Sequence, residues 1–193
     1  MNIPNRLSLL RIIFVPIMMF FYLATFIPGG KFVAAGIFIL AAFTDFLDGK
    51  IARKYNLITN LGKFLDSVAD KLLVTVALIL ICCDGTIPAP YGAIILAISV
   101  ARDFAMNMLR QIGSANGVII AADKFGKYKA VTQFIAIPFI IVYAGLRLFE
   151  INATFLTVFM WIGYAILIIS TILAVLSLIN YIVKNRQIFK ETK

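Results

Sequence analysis

Asp45-Phe-Leu-Asp48-Gly49-Lys-Ile-Ala52-Arg53, followed by Gly62-Lys-Phe-Leu-Asp66-Ser-Val-Ala-Asp70, sets four aspartates inside sequence that is otherwise apolar enough for a bilayer. Carboxylates are costly in that setting, so they mark a place where charge is paired, bound or used. At about 100° per residue, Asp45, Asp48, Gly49 and Ala52 share one arc of a helix, and Gly62, Asp66, Ala69 and Asp70 share an arc of the next. If the two helices are antiparallel neighbours, all four carboxylates converge.

Like charges a few ångströms apart repel by about 4 kcal/mol per close pair at an effective dielectric of about 20. Such a cluster takes up protons, pairs with cationic side chains, or binds divalent metal. Metal is the strongest of these readings. Hard oxygen donors favour Mg²⁺, Mn²⁺ or Ca²⁺ over zinc, and carboxylates projecting from facing helices are how helical bundles build two-metal sites. The chain has no histidine, which leaves carboxylates as the natural groups for proton transfer. The simpler reading is a structural network in which Lys50, Arg53, Lys54, Lys63 and Lys71 neutralise the aspartates. Lys50 and Lys54 lie off the carboxylate arc, however, and the small residues Gly49, Ala52, Gly62 and Ala69 contribute little to ion pairing while leaving room for a ligand.

Outward from this stretch, the 193 residues are 62% hydrophobic with mean hydropathy +1.00, which predicts an all-α integral membrane protein forming one domain over residues 1–193. Six apolar stretches, over residues 9–27, 32–52, 60–82, 91–112, 128–148 and 154–182, are each near or above the length that spans a bilayer as a helix. No run alternates as a transmembrane β-strand does. The expectation is a six-transmembrane-helix bundle with a short N-terminal interfacial segment over residues 2–8. The first apolar run is long for a signal peptide and lacks a good cleavage site, so it is expected to be the first span.

Charge supplies the orientation. With an even number of spans both termini share a side, and the loops of the opposite side hold only Lys31 and Arg147 among the basic residues. The positive-inside rule places both termini, and the mouth of the aspartate cluster, in the cytoplasm. The net charge of +9 is spread over membrane-proximal loops with no soluble domain to hold a duplex, which argues against nucleic acid as a partner. Anionic headgroups of the lipid bilayer and phosphorylated substrates fit better. The adjacent Cys82 and Cys83 are read as packing residues.

The pattern Asp45-x2-Asp48-Gly49-x2-Ala52-Arg53-x8-Gly62-x3-Asp66-x3-Asp70 resembles, without gap or substitution, the signature of the CDP-alcohol phosphatidyltransferase family. The chain looks most like the phosphatidylglycerophosphate synthase branch, through Asn2-Ile-Pro-Asn5-Arg-Leu-Ser8-Leu-Leu-Arg11, Ala101-Arg102-Asp103 with Arg110, and Gly126-Lys127-Tyr-Lys129. It departs from that branch at Ser67, where proline is usual, at Asp103, where glutamate is usual, and at Ala130, where threonine is usual.

The resemblance implies transfer of the phosphatidyl group of CDP-diacylglycerol to glycerol 3-phosphate with release of CMP, in the plasma membrane of a bacterium, by a homodimer. It implies two divalent cations, Mg²⁺ or Mn²⁺, held by Asp45, Asp48, Asp66 and Asp70, with Asp70 also the general base. It further implies that CDP-diacylglycerol is bound around Asp48, Gly49, Ala52, Arg53, Gly62 and Asp66. The acceptor's phosphate needs a basic pocket on the far side of the metals, and Arg102, Arg110, Lys127 and Lys129 are the candidates. The same chemistry with inositol phosphate, serine or phosphatidylglycerol as acceptor is the alternative, and a basic pocket disfavours serine. A cation transporter is the alternative from another class; it would place its charges near mid-membrane with access from both faces, whereas these gather towards one end.

Overall fold

Among the described residues of the computed structural model, six helices succeed one another: α1 (Ile3–Leu23), α2 (Gly30–Lys54), α3 (Asn60–Cys83), α4 (Tyr91–Ala115), α5 (Lys124–Leu146) and α6 (Ala153–Lys184). The structure describes residues 3–54, 60–115 and 124–185, with the side chains of residues 3–4, 46–54, 60–61, 63 and 115 outside that description. Among the described residues there is no strand, as the absence of alternating sequence requires. α1 starts at Ile3 and runs unbroken into its apolar stretch, so the expected interfacial segment is the first turns of the first helix rather than an element of its own.

Apolar stretches long enough to cross a membrane occupy Asn5–Leu23, Tyr91–Ser114, Lys124–Leu146 and Ala153–Lys184. α2 and α3 have similar lengths, 25 and 24 residues, but each carries its aspartates near one end. Large apolar side chains such as Leu23, Leu40, Phe43, Phe104, Trp161 and Val183 lie exposed on the outside of the bundle, an arrangement that suits hydrocarbon better than water.

The interior is built mainly by α1, α2, α3 and α5. Met18, Phe38, Leu73, Leu78, Ile137 and Ile141 fill it, while the fully buried Ala34, Ala41, Ala77 and Ala136 let the helix backbones approach one another. α6 packs along α5, and α4 leans on α6 and α3, where Met106 and Leu109 meet Tyr181. This places α4 and α5 across from the aspartate-bearing ends of α2 and α3.

Three tight turns close the opposite end. Gly29 leads into α2 with φ +79°, and a Cβ at Gly30 would stand 2.5 Å from the Phe21 carbonyl oxygen, so no other residue fits without moving backbone. Asn152 caps α6 by accepting from the backbone N–H groups of Thr154 and Phe155. Between α3 and α4, Asp84 gathers the turns together: its Oδ2 accepts from Tyr22 Oη and Lys31 Nζ, each at 2.7 Å, and its Oδ1 accepts from the Thr86 backbone N–H at 2.8 Å. Tyr164 Oη donates to the Thr86 carbonyl, adding α6 to the same network. Burial opposes the charge on Asp84, but the hydrogen bonds from Lys31, Thr86 and Tyr22 outweigh it and hold the carboxyl below the usual carboxylate range. Cys82 is partly buried and Cys83 is exposed, both as free thiols, so packing describes only the first of them.

Candidate active site

The helical arcs read from the sequence do bring carboxylates together. Asp45 from α2 and Asp66 and Asp70 from α3 line one side of a cleft of about 360 Å³. Asp48, Gly49, Ala52 and Arg53 belong to the helical stretch 46–54, whose side chains lie outside the described residues; Gly62 is described and partly buried but is not among the residues lining the cleft.

The cation that meets these carboxylates is one that sequence reasoning names only as the end of the N-terminal segment, with no role in the site. Arg11, on α1, is fully buried, and its Nη1 stands 2.7 Å from Asp45 Oδ1 and 3.2 Å from Asp66 Oδ1. Lys71 has no ion pair with an aspartate of the cluster among the described residues; the side chains of Lys50, Arg53, Lys54 and Lys63 lie outside them. The signal was available: Arg11 is followed directly by an apolar run, and a charge in the second or third turn of a span is as costly as the aspartates themselves.

Asp70 differs from its neighbours. Its Oδ1 is buried and has no hydrogen-bond partner among the described residues, while its surroundings include the charges of Asp45, Arg11, Asp66 and Lys129. A buried carboxylate oxygen without a donor is expensive unless something else satisfies it. This orphan and the all-oxygen donor set suit a hard divalent cation. Among the described residues, no three acidic, cysteine or histidine side chains form a group able to hold a metal ion; the fourth expected ligand, Asp48, has its side chain outside them.

The opposite side of the cleft is basic. Arg102 and Arg110 on α4, Lys129 on α5 and Lys71 on α3 line it together with Asn107. Lys129 is buried, and its Nζ donates to both carboxylate oxygens of Asp103, at 3.2 and 3.1 Å. Arg102 donates from Nη1 to Asp103 at 3.0 Å and from Nη2 to Ser177 Oγ of α6 at 2.7 Å. A Cβ on Gly126 would lie 2.7 Å from Arg102 Nη2; the glycine is the floor on which that guanidinium rests. Lys127 is exposed and is not among the residues lining the cleft. Of the four candidates for the acceptor's phosphate, the structure therefore gathers Arg102, Arg110 and Lys129 on the cleft and sets Lys127 outside it. Ser177 was missed because a serine within a strongly apolar helix carries no signal of its own.

Acids on one side and cations on the other make a cleft able to hold a phosphorylated molecule beside bound metal. The chain matches the family model for CDP-alcohol phosphatidyltransferase over residues 1–184. It is similar to proteins described as CDP-diacylglycerol–glycerol-3-phosphate 3-phosphatidyltransferase from Bacillus subtilis, at 36% identity over 88% of this chain and 91% of the relative, and from Escherichia coli strain K12, at 36% over 79% and 87%. The relative of that description from Rickettsia bellii is also 36% identical, over 72% of this chain and 75% of its own length.

Proposed function

The chain belongs to the CDP-alcohol phosphatidyltransferase family, and from that membership we propose that it transfers the phosphatidyl group of CDP-diacylglycerol to glycerol 3-phosphate, giving phosphatidylglycerol phosphate and CMP. The observation that carries this reading is the pairing, across one cleft, of the Asp45, Asp66 and Asp70 carboxylates with the Arg102, Arg110 and Lys129 cations. Three relatives whose names specify glycerol 3-phosphate support that acceptor over inositol phosphate. The basic side of the cleft disfavours serine, which brings no phosphate to meet it.

In the proposed reaction the acceptor hydroxyl attacks the phosphorus bonded to the diacylglycerol oxygen. The new P–O bond forms as the bond between that phosphorus and the CMP phosphate oxygen breaks, and the electron pair leaves on CMP. Asp70 accepts the hydroxyl proton and later returns it to water. Arg11 holds Asp45 and Asp66 in place from behind. Arg102, Arg110 and Lys129 hold the acceptor's phosphate, so that its hydroxyl is presented to the donor rather than encountered by chance. Asp48, Gly49, Ala52, Arg53 and Gly62 are proposed to receive the cytidine nucleotide on the α2 and α3 side. Lys127 is assigned to contact with headgroups instead.

Two divalent cations, Mg²⁺ or Mn²⁺, held by Asp45, Asp48, Asp66 and Asp70, would neutralise diphosphate charge and stabilise the leaving CMP. The chain is read as one domain that crosses a bacterial plasma membrane six times, with termini and cleft cytoplasmic, and as a homodimer. The loop charge asymmetry supports the orientation; the dimer rests on family membership alone.

CMP release by the purified protein tests the reading. With CDP-diacylglycerol present, glycerol 3-phosphate is expected to support turnover, chelation to stop it, and added Mg²⁺ or Mn²⁺ to restore it. Turnover with serine but not with glycerol 3-phosphate would overturn the acceptor, and full turnover after thorough metal removal would overturn the metal requirement.

A further inference from the structure

Asp103 is an acid placed among cations, in the part of the cleft where an anion is to bind. Its carboxylate receives Arg102 Nη1 at 3.0 Å and Lys129 Nζ at 3.1 Å, and Lys71 stands in the electrostatic reach of Asp103, Arg102 and Arg110. A negative charge here weakens the field available to a phosphate, so its presence needs a reason. The side chains of Arg102 and Lys129 are 13% and 6% exposed. Two cations so little hydrated, brought from different helices to one point, repel each other and splay apart unless something binds both.

The rest of the arrangement converges on the same two side chains. Ser177 takes the far edge of the Arg102 guanidinium at 2.7 Å, and Gly126 leaves the space through which that guanidinium passes. One turn-pair earlier on α6, the buried Ser170 donates to the Lys129 carbonyl at 3.2 Å, tying the backbone of Lys129 to the helix that also anchors Arg102. Arg102 Nε is buried and has no hydrogen-bond partner among the described residues. A donor left over on a guanidinium otherwise fixed at both ends is what a site built for a further anion would retain.

We propose that Asp103 is a positioning residue for the acceptor's phosphate: it clamps Arg102 and Lys129 side by side, with Ser177 and Gly126 fixing the outer edge of Arg102, so that the two cations meet a phosphate as a preformed pair. This rests on the reading of the cleft as a phosphatidyltransferase active site, and deepens it by assigning how its acceptor side is held. Asp103 itself repels the acceptor; its effect on binding is exerted through the two side chains it orients. Charge at this position is therefore required, and the length of the side chain that carries it matters less.

The test uses the full-length protein and CMP release, with the KM for acceptor and for CDP-diacylglycerol measured separately in wild type, Asp103→Asn, Asp103→Glu and Ser177→Ala. Wild-type turnover with each phosphorylated acceptor checks the underlying reading independently, and the variants are then compared on whichever phosphorylated acceptor the wild type uses. Asp103→Asn removes a repulsive charge, so simple electrostatics expects tighter acceptor binding; loss of positioning predicts instead an acceptor KM raised about tenfold or more, with the donor KM little changed. Asp103→Glu should recover most of the loss, and Ser177→Ala should raise acceptor KM in the same selective way but by less. An unchanged or lowered acceptor KM in Asp103→Asn overturns the proposal, as does an equal rise in both KM values. If Asp103→Asn does not fold, Ser177→Ala decides the matter: an acceptor KM equal to wild type overturns the proposal.

Discussion

Arg11 Nη1 lies 2.7 Å from Asp45 Oδ1, joining the first helix to the carboxylates of the second from a position fully out of solvent. The same nitrogen reaches Asp66 on the third helix, so one guanidinium ties three helices together behind the carboxylates of the cleft. Asp45 and Asp66 remain partly exposed, which limits the energy at stake. Arg11→Gln should lower the stability of chelator-treated protein by about 1–3 kcal/mol, less than for a fully buried pair because the carboxylates are partly hydrated. Millimolar Mg²⁺ should recover more stability in the variant than in wild type, since the repulsion left by Arg11 is then relieved by metal. Thermal unfolding in detergent with and without Mg²⁺ measures both effects; equal gains from Mg²⁺ in the two proteins would count against this electrostatic link.

Asp70 is set apart from its neighbours by its unpartnered, buried Oδ1. Asp70→Asn keeps the shape but cannot take a proton, and general-base assistance is worth about 10²–10⁴-fold in rate. Turnover should fall by at least about 10²-fold while CDP-diacylglycerol binding in saturating Mg²⁺ stays near wild type, whereas Asp45→Asn should impair donor and metal binding together. Near-normal turnover in Asp70→Asn would exclude the base, and loss of donor binding equal to that of Asp45→Asn would leave Asp70 a metal ligand only.

At the other end of the bundle, Asp84 links Tyr22, Lys31 and Thr86. Its carboxyl is held below the usual range because these hydrogen bonds outweigh the cost of burial. A group with a depressed folded pKa stabilises fully above its unfolded value, about 3.9 for aspartate, and that contribution disappears as pH falls through the folded value. Asp84→Asn should therefore be less stable than wild type at pH 7, and the gap between the two should close below about pH 4. Parallel thermal unfolding curves for the two proteins across that range test this; a gap that is constant with pH would mean that the charge of Asp84 contributes nothing.

Orientation can be tested with single cysteines in a Cys82→Ala, Cys83→Ser background. Glu150→Cys, in the exposed turn between α5 and α6, should react with a membrane-impermeant thiol reagent applied outside intact cells. Lys184→Cys, exposed at the end of α6, should react only after the membrane is opened. The reverse pattern would put the cleft on the wrong face for a cytoplasmic CDP-lipid.

Helix existence and the carboxylate wall were legible in the sequence because each depends on local rules. Apolar runs of bilayer length had to be helices, since no other local structure satisfies the backbone without water, and the spacings from Asp45 to Ala52 and from Gly62 to Asp70 decide which residues share a face whatever packs against them. Gly29 and Gly85, both at positive φ, sit in turns where composition already marked breaks. What the tertiary structure decided is which distant charges meet. Arg11 is 55 residues from Asp66, Lys129 is 26 from Asp103, and Ser177 is 75 from Arg102. Lys127 and Lys129 each had an adequate local explanation as an interfacial charge, and only helix packing separates Lys129, buried on Asp103, from Lys127, two residues away and exposed. Periodicity assigns a side chain to a face, but the charge partner of that face is set by which helix lies opposite, and in a bundle of apolar helices the backbone rules leave that choice to packing.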